Sequence, residues 1–513
     1  MKTILLALAL LAAPLAAQDD LARSVEMMAK VGAAYAPSFS PDADRLAYIT
    51  NISGSPQVWI VPVTGGYPRQ VTALNDPVTG MSWSPDGEWI ALQVAPGGGL
   101  NSQIYVVRPD GTGLRRLTAG GKENNWLGRW TPDSKSLVIG SNERSGAAVD
   151  SWVLEVASGR KRVIAESPGV SFVYDVSTDG KYALIGRLRS RGDLDAYRVA
   201  LDGSEEIHLT PHTPPAEFED ARFGTTADII YLAGNPDRDR SALLRVRVND
   251  GKAGRFEPLS SRTDAELTDI ALDHLRTGGY LNWNVMGRNE VTKVTFEPFH
   301  ESRGPSLPAD IVSDVEFAPT GARAAFVLSG SARPADIWIA PNAHGISQLT
   351  FSPHPGVALD KLVRPELVTY KAHDGLELSG WLYRPRGTAG PYPTVLSFHG
   401  GPEGQERPTF NSTYQALLAN GIAVFAPNVR GSSGFGKKFV NLDNGALRVG
   451  SVRDIKATAD HLVSARLADP KRLGIMGGSY GGYMVMAGVT EYPDLFAGGA
   501  NLFGVVNFET FFK

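Results

Sequence analysis

Two textures of hydrophobic and polar positions follow one another along this chain. From about residue 35 the apolar positions come in short alternating runs, such as Gln103-Ile104-Tyr105-Val106-Val107, separated by Pro, Asp and Gly. Such runs predict short strands joined by tight turns. A unit recurs: Phe39-Ser40-Pro41-Asp42, Trp83-Ser84-Pro85-Asp86-Gly87, Trp130-Thr131-Pro132-Asp133, Val176-Ser177-Thr178-Asp179-Gly180 and, degraded, Phe317-Ala318-Pro319-Thr320-Gly321. An apolar strand such as Trp89-Ile90-Ala91-Leu92 follows each copy. Many units close on Val71-Thr72, Leu117-Thr118, Leu209-Thr210 or Leu349-Thr350. Proline presets φ, aspartate bonds back to the backbone and glycine accepts positive φ, so the repeated piece predicts a hairpin turn. Repeats of about 40–50 residues holding about four strands predict a β-propeller. The stretch 35–355 has room for about seven blades. The units near 221–259 and 268–298 are the least regular. One Asp on each separate blade does not converge on an ion, so these turns do not predict calcium sites.

After the linker Ser352-Pro353-His354-Pro355-Gly356 the period changes. Runs at 367–372 and 376–383 flank His373-Asp374-Gly375 and predict a strand pair. Strands are then predicted at 394–398, 423–426, 473–476 and from 497, with helices at 413–419, 452–467 and 483–490. Alternating strands and helices predict a mostly parallel sheet covered on both faces. The fold class is therefore an all-β propeller followed by an α/β domain, which the glycine-serine motif described below marks as an α/β-hydrolase domain. The expected divisions are 18–34 (a short helical segment), 35–355 (propeller) and 356–513 (hydrolase, incomplete at its C-terminus). Residues 1–17 read as a signal peptide, with Lys2, an apolar run and Ala16-Ala17 before Gln18. The alternative is a short membrane anchor, for which the apolar run is short. Export to a bacterial periplasm or secretion is the expected location.

Composition narrows the chemistry. The 513 residues are 42% hydrophobic and 20% charged, with net charge -4 and no long basic run. That argues against nucleic acid or an anionic membrane as the main partner. The chain has no cysteine, which excludes disulfides, thiolate metal sites and cysteine nucleophiles.

The centre of the second domain is Gly477-Gly478-Ser479-Tyr480-Gly481-Gly482-Tyr483. It contains G-x-S-x-G between a predicted strand and a predicted helix, the nucleophile-elbow pattern. Phe398-His399-Gly400-Gly401-Pro402 follows the strand that precedes the first crossover helix, where this fold places its second oxyanion donor. Ser479 is the candidate nucleophile, with the N–H groups of Gly401 and Tyr480 as the candidate oxyanion hole. His399 precedes the serine, the wrong order for this fold's base, and reads as a loop-packing residue.

With Asn428-Val429-Arg430-Gly431-Ser432-Ser433-Gly434-Phe435-Gly436, these motifs behind a Ser-Pro-Asp-Gly propeller resemble the prolyl oligopeptidase family of serine peptidases, nearest its acylaminoacyl-peptidase and dipeptidyl-peptidase branches. The resemblance implies short peptide substrates reaching a site between the two domains, folded proteins kept out, and no metal or cofactor. It gives Arg430 a role in shaping the site; a structural salt bridge is the other reading of that residue. Dipeptidyl-peptidase relatives hold the substrate amino group with a propeller glutamate pair. Glu205-Glu206 is such a pair, but it follows an Asp202-Gly203 turn and reads as a solvated strand end. The family's acid and histidine lie well past the elbow. Here 34 residues follow Ser479 and no histidine follows His461. Asp494 falls in the turn after the elbow helix and reads as structural. The expectation is a C-terminally truncated chain, unstable or nearly inactive as written. An esterase of the same fold and a non-catalytic propeller binding protein are the alternatives.

Overall fold

The computed structural model describes residues 21–321, 323–340, 345–507 and 510. The expected signal peptide lies outside the described residues. The chain divides into two compact units, one of Gly32–Leu328 with Ala335–Ser352, the other containing Pro353–Lys513. Residues 21–29 are helical, within the segment expected to be so.

The first unit is a seven-bladed propeller. Each blade is an antiparallel sheet built from its own consecutive strands, and the fifth carries one extra short strand. The strands that open the blades are Ala34–Phe39, Val78–Trp83, Asn125–Trp130, Ser171–Val176, Phe218–Phe223, Glu266–Leu272 and Ile311–Phe317. One hydrogen bond recurs in every blade and closes its first hairpin. It runs from the N–H of Ser40, Ser84, Thr131, Ser177, Gly224, Asp273 and Ala318 to the carbonyl five residues on. In the first four blades the Ser or Thr hydroxyl adds a bond to the Asp two residues later (2.6 Å for Ser84 to Asp86). Blades five and six have Gly224 and Asp273 at the hydroxyl position, so the turn persists while its sequence signature fades.

The closing Leu-Thr pairs have an equally local cause. The buried hydroxyls of Thr72, Thr118, Thr210 and Thr350 accept the N–H of Val58, Ile104, Ala196 and Ile337 on the third strand. The same hydroxyls donate to Gln57, Gln103, Asp195 and Asp336. Each threonine thus fastens the last strand of its blade to the third. The ring closes without a shared strand. Leu46, Tyr48 and Val61 of the first blade pack with Ala325, Val327 and Ile337 of the last in one apolar cluster.

The opening strands of blades three to seven carry charge into a cavity of about 290 Å³ lined by Arg129, Asp175, Arg222, Asp269, Asp314 and Glu316. Arg222 ties three blades together, donating to the carbonyls of Tyr174 and Ile270 at 3.0 and 2.9 Å. Burial pushes the Asp314 carboxyl up to about 6 and the Glu316 carboxyl up to about 7, with Arg129 and Arg222 pulling the other way. Burial also opposes the charge of Asp175, but Arg276 beside it holds that carboxyl below its ordinary value.

The second unit holds a six-stranded mixed sheet. Its strands are β1 (Glu366–Lys371), β2 (Glu377–Tyr383), β3 (Tyr392–Phe398), β4 (Ala423–Asn428), β5 (Ala468–Gly478) and β6 (Gly498–Leu502), in the order β1-β2-β4-β3-β5-β6. The first two neighbouring pairs are antiparallel and the other three parallel. Helices α1 (Ser412–Ala419), α2 (Arg448–Ser464) and α3 (Tyr480–Glu491) make the crossovers. Their apolar faces close the core: Ile455 and Leu462 of α2 and Met484 and Val485 of α3 pack with Leu396, Phe425 and Ile475 of the sheet. The α2 helix begins one turn before its predicted start, and α3 begins at the elbow rather than at Tyr483.

Candidate active site

The sharp turn between β5 and α3 is set by contact. A Cβ on Gly477 would stand 2.5 Å from the carbonyl carbon and oxygen of Gly481, and one on Gly481 would strike the carbonyl oxygen of Phe398. Only glycine fits either position. Between them Ser479 has φ 54° and ψ -119°. A side chain held there costs about 1–3 kcal/mol. The Ser479 N–H donates to the Leu502 carbonyl on β6 at 3.2 Å, and its carbonyl accepts from Gly482 and Tyr483. The serine is exposed, and among the described residues its hydroxyl makes no hydrogen bond. Since α3 starts at Tyr480, the Tyr480 N–H is one of the four without an intrahelical acceptor, at the positive end of the helix dipole.

The loop after β3 lies against this turn. A Cβ on Gly400 would stand 3.4 Å from both the Ser479 Cβ and the Gly478 carbonyl oxygen. Gly401 has φ 125°, and a Cβ there would stand 2.5 Å from the N atoms of Glu403 and Gly404. Its own N–H has no hydrogen-bond partner among the described residues. Two N–H groups thus remain available beside an exposed hydroxyl. That is the arrangement an attacked carbonyl needs, because charge developing on its oxygen meets fixed donors.

His399 belongs to the loop rather than to the serine. Burial holds its ring below the ordinary histidine range. Nδ1 faces the Gly400 carbonyl at 2.7 Å and so carries the proton, while Nε2 stands 2.8 Å from the Ser432 hydroxyl. One nitrogen is occupied within this loop and the other by Ser432 of the loop that follows β4.

A second loop, 428–436, braces the first. The Asn428 side chain accepts from the Glu406 N–H at 2.7 Å and donates to the Glu406 carbonyl at 3.1 Å. Trp381 Nε1 donates to the same carbonyl, and the Ser433 N–H donates to the Gly404 carbonyl. Arg430 anchors this bracing loop. It is buried and forks onto two carboxylates, Asp454 of α2 at 2.8 Å and Asp374 of the β1–β2 turn at 2.9 and 3.1 Å. Hydrogen bonding to Arg430 holds the Asp374 carboxyl well below its usual range. Burial pushes Asp454 up against the pull of Arg430. Arg430 therefore bears on the serine through the loops and does not touch it.

Pattern reading missed Asp443. It lies fully buried in a short turn before α2 and accepts from the Tyr480 hydroxyl at 3.0 Å on both oxygens. It also accepts from Ser451. Burial, with Asp443 adding to it, holds the Tyr480 phenol far above its ordinary value. The Tyr480 side chain is thus pinned behind the turn, and the residue faces the site with its backbone. Nothing in the run Asn441-Leu442-Asp443 marks such a role.

Comparison with known proteins fits this geometry. Residues 408–513 match the model of the prolyl oligopeptidase family, and residues 18–151 match that of the TolB beta propeller domain. The stretch that holds Ser479 is thus similar to the prolyl oligopeptidase family. Among its relatives, dipeptidyl aminopeptidase BIII of Pseudoxanthomonas mexicana is 26% identical over 92% of this chain and 70% of its own length. The uncharacterized peptidase YuxL of Bacillus subtilis is 27% identical over 87% of this chain and 69% of its own. In fold the chain is similar to a prolyl endopeptidase structure, with a TM-score of 0.81 at 20% identity, covering 94% of this chain and 74% of that one. It is also similar to puromycin hydrolase, with a TM-score of 0.79 at 17% identity over 94% and 79%. In this chain the Glu205-Glu206 pair is spent on arginines: Glu205 pairs with Arg198, and Glu206 forks onto Arg187.

Proposed function

We propose that this chain is built to cleave short peptides through an acyl-enzyme on Ser479. The Ser479 oxygen bonds to the peptide carbonyl carbon, and the N–H groups of Gly401 and Tyr480 stabilise the oxyanion. The C–N bond then breaks, the amine leaves with the serine proton, and water later releases the acyl group. The observation that carries the reading is the strained, exposed Ser479 packed against the Gly400–Gly401 backbone. A binding scaffold gains nothing from keeping about 1–3 kcal/mol of such strain. Peptides are favoured over esters because the relatives named above are peptidases. The propeller limiting access to short substrates rests on the same likeness. Rates on peptides of increasing length test it.

Both nitrogens of His399 are engaged elsewhere, and no described residue hydrogen-bonds the Ser479 hydroxyl. We therefore expect the polypeptide as written to acylate slowly. This same feature is what a purely binding role would rest on. Parallel assays on a peptide amide and an acyl ester separate the two chemistries, and a Ser479→Ala variant that keeps its biological role would favour binding. Export is part of the proposal, with cleavage after Ala17 giving a mature N-terminus at Gln18, which mass spectrometry of the secreted protein would show.

A further inference from the structure

The oxyanion loop ends in a carboxyl group that has no counter-charge among the described residues. Glu406 closes the segment that begins at His399, and its backbone is the part gripped by Asn428 and Trp381. Its side chain turns inward. Oε1 meets the Tyr414 hydroxyl of α1 at 3.3 Å, and that hydroxyl lies 2.8 Å from Ser397 of β3. Tyr383 of β2 packs edge-on against the Tyr414 ring. Among the described residues no cation pairs with the Glu406 carboxyl. The neighbouring Arg407 is itself held down by burial, to about 10. The half-buried carboxyl thus meets the Tyr414 hydroxyl, which is itself tied to Ser397 and flanked by the Tyr383 ring. Such a pocket accepts a neutral acid and penalises a carboxylate. Burial accordingly raises the Glu406 carboxyl to about 7, with the Tyr414 bond pulling the other way.

We propose that Glu406 is a positioning residue with a proton-linked action: as the neutral acid it lets the loop carrying Gly400 and Gly401 lie against Ser479, and on losing its proton to solvent it draws that loop out of place. The proposal rests on the reading of Gly401 as an oxyanion donor. The carboxylate has two ways to gain solvation. Either water enters the pocket or the side chain leaves it, and leaving pulls on the backbone that Asn428 holds. The oxyanion hole is then assembled below neutrality and loosened above it, although neither donor titrates.

Hydrogen exchange in the full chain tests this without requiring turnover. The reporting amides are Glu406, bonded to Asn428, and Ser433, bonded to Gly404. With intrinsic rates divided out, their protection should fall about tenfold or more between pH 5.5 and pH 8.5. In Glu406→Gln it should stay at the low-pH level throughout. Tyr414→Phe removes a bond that favours the carboxylate, so it should move the midpoint to higher pH. Protection that does not change with pH in the wild-type chain would overturn the proposal. So would a pH step that survives in Glu406→Gln, or a midpoint unmoved in Tyr414→Phe. Phosphonate labelling of Ser479, run in parallel, separates the two readings. A pH step with an unreactive Ser479 retains this inference and removes the peptidase reading; a reactive Ser479 without the step does the reverse.

Discussion

Gly400 lies so close to Ser479 that a methyl group added to it would stand 3.4 Å from the serine Cβ and 3.9 Å from Oγ. Contact at that distance is ordinary, so Gly400→Ala should fold normally. It should slow reaction at Ser479 modestly by crowding the approach to Oγ. Gly401→Ala is different, because φ there is 125° and the new carbon would collide with two backbone nitrogens. That variant should lose about 10²–10³ in acylation rate, the effect of removing one oxyanion donor. Phosphonylation rates of the two variants check the contrast.

Arg430 tests whether the bracing loop matters to the fold. Arg430→Ala leaves Asp454 buried with its main partner gone. Breaking a buried pair in this way costs about 3–5 kcal/mol. Urea unfolding should show a loss of that order in the second unit's transition, while the propeller transition stays in place.

The first turn of each blade predicts a paired outcome. Ala43 and Gly87 occupy the same position in blades one and two, with φ 59° and 79°. Ala43→Gly should stabilise the propeller by up to about 1 kcal/mol, since a Cβ in this region is disfavoured. Gly87→Ala should destabilise it by a similar amount or more, because its Cβ also meets Pro41 at 3.2 Å. Thermal unfolding of both variants reads the sign.

Much of this fold was legible as pattern. The hairpin turns of blades one to four and the Leu-Thr closures could be read because side chains, Ser40 with Asp42 or Thr72 with Gln57, make those bonds. Blades five and six were hard to read because backbone alone closes the turn at Gly224, and in blade six a carboxylate, Asp273 accepting from Thr277, stands where the other turns have a hydroxyl. At the site, Gly477, Gly481 and Gly401 announce themselves, since only glycine satisfies the contacts. Asp443, Asn428 and Glu406 do not. Their roles depend on partners far along the chain, which no local spacing encodes.

The carboxyls in the propeller cavity give a pH dependence with a definite sign. Glu316 sits at about 7 when folded and near 4.3 when unfolded. Its contribution is therefore most favourable below the unfolded value and is lost as pH rises toward 7, because the unfolded chain releases the proton first. Glu316→Gln should match the wild-type Tm at pH 4 and exceed it at pH 8. A variant equally or less stable at pH 8 would contradict the burial argument.

The most direct test of the account is to treat the protein with a fluorophosphonate and locate the adduct by mass spectrometry. The account predicts an adduct on Ser479 well above that on any other serine. It should be absent in Ser479→Ala and strongly reduced in Gly401→Ala. Labelling of Ser479 no greater than that of surface serines would show that the strained turn and its two N–H groups do not make a nucleophile.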